Sequence, residues 1–278
     1  MEVPTLTSHS GLSLPAIGLG TYSLDGDAGS DTIAEAIRLG YRLLDSAVNY
    51  ENEGALGAAV RRSDLARDTL IVTSKLPGRH HHFDDALTTI EESVMRMGLD
   101  AIDLYLIHWP NPLEGHYVEA WRALIEARDR GVVGHIGVSN FLPEHIERLR
   151  SETGVLPEVN QIELHPYFPQ VDLLAFHREN GILTEAWSPL GRKSDLLINP
   201  VLSSIATEHG VTAAQTVLAW HVHNGTIPIP KSRSALRLEE NLNVFGISLT
   251  PDDIEAINSL SRANGRLADQ DPAVYQEF

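Results

Sequence analysis

The sequence predicts an α/β protein folded as a (β/α)8 TIM barrel, and three observations carry that prediction. Short apolar runs alternate with helical segments eight times along the chain. Several runs are apolar at consecutive positions, as parallel strands buried on both faces require. No composition break, sequence repeat or low-complexity tract interrupts the alternation, and 278 residues suit one closed barrel, so a single domain over 1–278 is expected.

The elements follow in order. Thr5 to Leu14, around a Ser10-Gly11 turn, reads as an N-terminal β-hairpin covering one barrel end. The barrel strands are Ala16 to Leu19, Tyr41 to Leu44, Leu70 to Thr73, Ile102 to Ile107, His135 to Val138, Val159 to Ile162, Ile182 to Ala186 and Thr226 to Ile229. Between them, apolar residues three and four apart mark helices at Asp31 to Leu39, Gly54 to Arg62, Asp84 to Met97, Tyr117 to Arg130, Pro143 to Arg150, Leu173 to Asn180 and Thr212 to Asn224. Gly40, Gly98, Gly131, Gly181 and Gly225 follow such segments, where a left-handed cap favours glycine, and Asp84 and Thr212 are the expected N-caps. A further helix begins near Asn199-Pro200. Helical pattern returns at Leu236 to Asn241 and Pro251 to Leu260, leaving a short C-terminal tail.

Composition narrows the function. A formal net charge of −17 repels phosphate backbones at long range, so neither nucleic acid nor an anionic membrane is an expected partner. An anionic ligand must be held by a local basic patch. With no cysteine, disulfides, thiolate nucleophiles and cysteine-ligated zinc are excluded. Met1 to Gly20 has no signal-peptide pattern and no apolar run reaches membrane-spanning length, so a cytoplasmic monomer is expected.

Barrels of this kind carry their chemistry at the carboxyl ends of the strands. Here those ends hold Asp45, with Tyr50 in the next loop, then Lys75, His108-Trp109-Pro110, Ser139-Asn140, Gln161-Ile162-Glu163, Trp187-Ser188-Pro189 and Lys231-Ser232. Singly each has a bland explanation: Asp45 as a structural pair, Tyr50 as an interface residue, Trp187 as a core aromatic, Lys231 and Arg237 as solvated charges. Gathered on one rim of an otherwise apolar barrel, they point to an active site.

Five segments carry a specific resemblance. They are Leu44-Asp45-Ser46-Ala47-Val48-Asn49-Tyr50, Asp103-Leu104-Tyr105-Leu106-Ile107-His108-Trp109-Pro110, Gly137-Val138-Ser139-Asn140-Phe141, Val159-Asn160-Gln161-Ile162-Glu163-Leu164-His165-Pro166 and Ile229-Pro230-Lys231-Ser232, the last followed by Arg237 and Glu240-Asn241. In this order the chain resembles the aldo-keto reductase family, and is similar to its prokaryotic 2,5-diketo-gluconate reductase and prostaglandin F synthase-like members. The resemblance implies reduction of small-molecule carbonyls by NADPH, with NADP+ as product cofactor.

It also implies roles. Tyr50 would be the proton donor, and Lys75 would lower the tyrosine's pKa from about 10. Asp45 would keep Lys75 charged, and His108 would donate a hydrogen bond to the carbonyl. Ser139, Asn140 and Gln161 would meet the nicotinamide carboxamide, Trp187 would stack on its ring, and Ser188, Leu190 and Gly191 would follow the pyrophosphate. Lys231, Ser232 and Arg237 match the 2′-phosphate group, with Glu240 and Asn241 at the adenine. Tyr22, where many relatives carry tryptophan, and Trp109 would line the substrate pocket. The short loop Gly191 to Asn199 suggests an incomplete belt over the cofactor.

Other signals are weaker. Gly18-Leu19-Gly20 lacks the third glycine and the strand-helix context of a Rossmann fingerprint, and Gly137-Val138-Ser139-Asn140 is not a nucleophile elbow. His80-His81-His82 should diverge, and His221 and His223 fall on opposite sides of a helix, so no metal is assigned. Two rival readings stand beside the reductase: a metal-dependent hydrolase on the same barrel, and a non-catalytic NADPH-binding relative. The first would need several strand-end histidines, where only His108 is found. The second would have no use for the set Asp45, Tyr50, Lys75 and His108, and turnover of a generic aldehyde would tell it apart.

Overall fold

Alternation along the strands decides which side chains fill the barrel and which meet its helices. The computed structural model describes residues 3–278. Two short strands, β1 (Thr5–Thr7) and β2 (Ser13–Pro15), pair antiparallel. Eight parallel strands then stand side by side in chain order: β3 (Leu19–Gly20), β4 (Leu43–Asp45), β5 (Ile71–Leu76), β6 (Ile102–Ile107), β7 (Val133–Ser139), β8 (Val159–Glu163), β9 (Leu183–Trp187) and β10 (Ile227–Pro228). The two edges of the curled sheet meet where Gly18 N–H donates to Pro228 O (3.0 Å) and Gly20 N–H to Pro230 O (3.1 Å).

Two cores follow from the period of two. Leu43, Leu104, Leu106, Val159, Leu183, Ile227 and Ile229 pack with Leu12 and Leu14 of the hairpin, which plug the amino-terminal end of the barrel. Their strand neighbours Leu44, Tyr105, Ile107 and Val138 join a second cluster with Ile33, Leu56, Ile90, Trp121 and Leu124 from the surrounding helices. Those helices are α1 (Gly26–Leu39), α2 (Glu53–Arg61), α3 (Phe83–Met97), α4 (Tyr117–Asp129), α5 (Pro143–Thr153) and α6 (Val171–Asn180), followed by α7 (Pro200–His209), α8 (Ala213–His223), α9 (Ala235–Leu242) and α10 (Pro251–Asn258).

Helix ends obey the chemistry of their caps, with two corrections. Thr212 caps α8, accepting from Gln215 N–H while the Gln215 side chain returns a bond to the Thr212 N–H (3.1 Å). Asp84, however, is not the cap of α3: the helix starts after His82, and Asp84 lies in its first turn, where a negative charge favours the helix dipole. α1 starts at Gly26, a turn before the expected Asp31. Its first residues, Gly26 to Ser30, are small or polar and give no apolar period to read. α3 ends at Gly98, left-handed at φ 61°, whose N–H bonds back to Val94 and Met95.

Beyond α10 the tail returns across the carboxyl rim. Arg262 N–H donates to Tyr167 O (3.0 Å) with its guanidinium 3.4 Å from the Tyr167 ring centre, and Leu267 N–H donates to Glu163 Oε1 (2.6 Å). Tyr275 then packs on Trp109, ring centres 4.5 Å apart. No described helix is long and apolar enough to cross a membrane.

Candidate active site

Each strand delivers its candidate functional residue one inner position beyond a buried one, apolar in every case but Thr73. Leu43 leads to Asp45, Thr73 to Lys75, Leu106 to His108, Val159 to Gln161, Leu183 to Glu185 and Trp187, and Ile229 to Lys231. Side chains two apart share a face of a strand, so the rows that fill the barrel also build the polar floor above it.

The floor is buried, and its central Lys75–Asp45 pair is fully bonded, while Glu185 Oε1 and Thr73 Oγ1 are left without a partner among the described residues. Lys75 is fully buried; its Nζ donates to both Asp45 oxygens and to Ser46 O, all at 2.7 Å. Burial alone would discharge the ammonium, but Asp45, Tyr50 and Glu185 outweigh it and hold Lys75 above its ordinary pKa. Gln161 Nε2 donates to Asp45 Oδ1 (2.8 Å) and to Glu185 Oε2 (2.7 Å), so Gln161 has only its carbonyl oxygen left for a ligand. Glu185 is fully buried, and burial, with Asp45 beside it, pushes its carboxyl up to about 7.

Tyr50 stands over this floor in a short 3-10 turn (Val48–Tyr50), its ring centre 5.1 Å from Lys75 Nζ. The expectation that Lys75 lowers the Tyr50 pKa holds only for the sign of that one contribution. Burial raises the hydroxyl more than Lys75 lowers it, Asp45 adds to the rise, and Tyr50 lies above its ordinary value. Burial is the main cause, and Asp45 adds to it by offsetting part of the field that a lone ammonium would exert. His108 meets Tyr50 edge to face, ring centres 5.9 Å apart, and its Nδ1 lies 2.7 Å from Glu277 Oε1.

A cleft of ≈ 560 Å³ opens above, lined by Tyr22, Asp45, Tyr50, His108, Trp109, Asn140, Gln161, Trp187, Ser188, Leu190 and Lys231. Asn140 and Ser188 hold left-handed backbone at φ 63° and 48°, a strain that gathers at functional rims. Trp187 Nε1 donates to Asn140 Oδ1 (2.8 Å), and Asn140 Nδ2 donates to His108 O and to Ser139 Oγ (both 3.0 Å). Lys75 and Ser139 lie beneath the lining, Ser139 donating its hydroxyl to Gln161 O (2.8 Å). Gly191, Ser232, Arg237, Glu240 and Asn241 are outside it. Ser232 and Asn241 are buried, while Arg237 projects into solvent from the first turn of α9.

The sequence reading missed several contributors. Glu185 was legible, being the inner position between Leu183 and Trp187. Arg192 and Arg233 were not singled out, yet both help burial to depress the Lys231 pKa, which places them close to it. Arg192 also lies 4.9 Å over the Tyr22 ring, so the short loop after β9 does reach across the cleft. None of Arg192, Lys231, Arg233 and Arg237 forms an ion pair among the described residues, in a chain of net charge −17. Gln270, Tyr275 and Glu277 of the tail also line the cleft. No periodicity marked them, because an extended tail buries residues one at a time.

The histidine run diverges: His80 bonds Thr89 Oγ1 (2.7 Å), His81 is buried without a partner, and His82 meets His116 and Glu119. His82 and His116 are the N-caps of α3 and α4, where two helix dipoles oppose a cation and favour the Glu119 carboxylate. His221 is buried, bonding Thr226 Oγ1 (3.0 Å) and Pro189 O (3.2 Å), and has no part in the cleft.

Comparison with known proteins agrees with this geometry. The aldo/keto reductase family matches residues 16–262. The chain is 53% identical over 277 residues to 2,5-diketo-D-gluconic acid reductase B of Corynebacterium sp., covering 100% of this chain and 99% of that one. It is 37% identical over 273 residues to a methylglyoxal reductase of Yersinia pestis, covering 98% and 97%. Among solved structures, a Gox0644 variant in complex with NADPH superposes with a TM-score of 0.94 at 42% identity, covering 99% and 100%.

Proposed function

Because the chain belongs to the aldo/keto reductase family and is an NADP-dependent oxidoreductase, we propose that its rim reduces small carbonyl compounds with Asp45, Tyr50, Lys75 and His108 as the catalytic set. The observation that carries this reading is the stack of Tyr50 and His108 over a buried, fully bonded Lys75–Asp45 pair, at the base of the cleft. The reacting unit spans 1–278, and every group it needs comes from one chain, so a monomer suffices.

The donor set fits NADPH. Gln161 presents a free carbonyl oxygen and Trp187 an indole fixed by Asn140, suited to an aromatic carboxamide. Arg192, Lys231, Arg233 and Arg237 have no carboxylate partner among the described residues, and α9 begins among them, capped by Ser234. A helix N-terminus with free cations suits a phosphate. Ser188 and Leu190, with Gly191 behind them, would follow the pyrophosphate; Ser232, Glu240 and Asn241 would lie towards the adenosine. NADPH, when bound, supplies the hydride.

The chain's own residues manage the proton and the charge. Reduction turns a carbonyl oxygen into an alkoxide, which needs an acid and fixed dipoles. Tyr50, held above its ordinary pKa, keeps its proton at neutral pH and so is loaded as the acid. Lys75 beneath it, locked by three bonds, opposes the negative charge left on the phenolic oxygen. His108 would face the substrate's carbonyl oxygen and orient it. Tyr22, Trp109 and Tyr275 wall the substrate side.

The test is NADPH and NADH oxidation followed by absorbance over a panel of aldehydes, ketones and dicarbonyls. Methylglyoxal and 2,5-diketo-D-gluconate belong in it because two relatives are named for them. Turnover of several members with NADPH is expected; none with any member would leave the chain a cofactor-binding relative without catalysis.

A further inference from the structure

We propose that Glu277 is a positioning residue for this reaction: its carboxylate fixes the His108 imidazole with a proton on Nδ1, so docking of the tail selects the state of the nitrogen that faces the substrate. The proposal rests on the reading of His108 as the group that meets the carbonyl.

Glu277 sits in a socket made for it. It is 8% exposed, and Oε2 accepts from Gly78 N–H (2.9 Å) while Oε1 accepts from Asn49 Nδ2 (2.8 Å). Its backbone is gripped twice by the Asn111 side chain, which donates to Glu277 O (2.8 Å) and accepts from Glu277 N–H (2.9 Å). Asn111 is 1% exposed and holds a left-handed φ of 44° to do this. Gly78 leaves room: a Cβ there would lie 2.6 Å from Glu277 O. The loops after β4 and β5 thus each give a donor to one carboxyl group of the tail, and the loop after β6 grips the backbone of the same residue.

A latch needs no more than those bonds, yet Oε1 also lies 2.7 Å from His108 Nδ1, a close ion-pair contact whose angle falls short of a well-formed hydrogen bond, and the buried Nδ1 has no other partner among the described residues. Asn49 Nδ2 and Gly78 N–H are donors, so they cannot supply an acceptor to the histidine. Burial pushes the Glu277 carboxyl up, but His108, Gly78 and Asn49 outweigh it and hold it below the usual carboxylate range. An ionised carboxylate accepts only, so the shared proton belongs to His108 Nδ1.

The other nitrogen is thereby determined. With Nδ1 protonated, a neutral imidazole has a bare Nε2, which accepts from an alcohol; only the imidazolium donates from Nε2 to a carbonyl. The docked tail therefore sets His108 as a donor to the carbonyl in its charged form and as an acceptor from the alcohol in its neutral form. Hydride still goes to carbon and the Tyr50 proton to oxygen; Glu277 neither gains nor loses an atom. The titratable and charged neighbours of this pair are Tyr50, with Lys75 and Asp45 behind it, His81 beside the socket, and Arg79, which bonds Asn49 and Phe278 O.

Nitrogen-15 NMR of the histidine-labelled full chain tests this without turnover, the His108 signals being assigned by their loss in His108→Gln. Protonated Nδ1 is expected in the native protein at neutral pH, with that signature lost in Glu277→Gln. The kcat for reduction should fall about 10- to 100-fold in the same variant, the usual cost of losing the partner that orients a histidine, with KM for NADPH unchanged. Gly78→Ala, which fills the socket and leaves Glu277 intact, should give the same spectral change and serves if the first variant does not fold. A bare Nδ1 in the native protein, or unchanged His108 resonances in a folded variant, would overturn the proposal. Because the spectra are read on the resting protein, a chain that reduces nothing would sink the functional reading and leave the Glu277–His108 pairing to be judged on its own.

Discussion

The two ends of the cleft are built on opposite principles. At the end proposed for catalysis Asp45, Lys75, Gln161 and Glu185 are buried, and the lysine spends all three donors inside the protein. At the other end Lys231, Arg233 and Arg237 are exposed and have no carboxylate partner among the described residues. The difference follows from what each end has to do. Transition-state stabilisation depends on dipoles fixed beforehand in a dry site, so its charges must be compensated within the fold. Capture of a dianion depends on cations kept free of carboxylates, which in so acidic a chain means keeping them apart from its surplus negative charge.

The largest effect should come from disturbing the buried end. Tyr50→Phe removes the acid and Lys75→Met the charge beneath it; each should lower kcat by about 10²- to 10⁴-fold with NADPH affinity kept. Rapid-mixing kinetics with fluorescence titration of the cofactor checks both. Near-native turnover in a reaction limited by chemistry would transfer the role of acid to another group. His108→Ala comes next, at about a hundredfold in kcat, roughly 3 kcal/mol. If only the substrate KM changed, His108 would be lining rather than chemistry.

The same end should carry a cost in stability that depends on pH. Glu185, pushed up to about 7, keeps in the folded state a proton that the unfolded chain releases near its ordinary value of 4.5. Its contribution is fully present below about pH 4.5 and is lost as pH rises through about 7, by at most about 3 kcal/mol. His177 and His221 act in the opposite direction: burial depresses both to about 3, so their contribution is present above the ordinary 6.5 and is lost as pH falls. Urea unfolding of native protein and Glu185→Gln from pH 5 to pH 8 separates the two. The variant should lack the alkaline decline and retain the acid one. Parallel curves would mean that Glu185 stays charged in the fold.

The contrast also explains what the sequence disclosed. Barrel order and the gathering of Asp45, Tyr50, Lys75 and His108 at one rim were legible because strands of period two and their carboxyl ends impose a fixed grammar on residues 43–45, 71–76 and 102–107. Glu185 obeyed that grammar and was overlooked only because it lies inside the strand rather than at its end. The start of α1 was hidden by Gly26 to Ser30, which carry no apolar stripe. Glu277, Tyr275 and Arg192 were beyond reach in principle: each acts through a contact across the cleft, with His108, Trp109 and Tyr22 respectively, and no local pattern encodes such a contact.

The smallest effect should come from the exposed end, and it bears most directly on the comparison. A 2′-phosphate is dianionic near neutral pH, and Arg can meet two of its oxygens at once. Each charge-assisted hydrogen bond contributes roughly 1.5 to 3 kcal/mol, so Arg237→Ala should weaken NADPH by about ten- to a hundredfold and leave NADH nearly unchanged. Lys231→Ala should lose less, because its ammonium meets the phosphate as a single point charge, and Arg233 and Arg237 remain to hold it. Both penalties should shrink as salt rises, since a site open to solvent is screened within about 10 Å at 0.1 M. Kinetics of the buried set should scarcely respond to the same salt. Titrating both cofactors against wild type and the two variants, at low and high ionic strength, decides the matter. Equal losses for NADPH and NADH would show that these residues hold the fold or the shared part of the cofactor. A penalty that salt leaves untouched would mean that the phosphate end, too, is built dry.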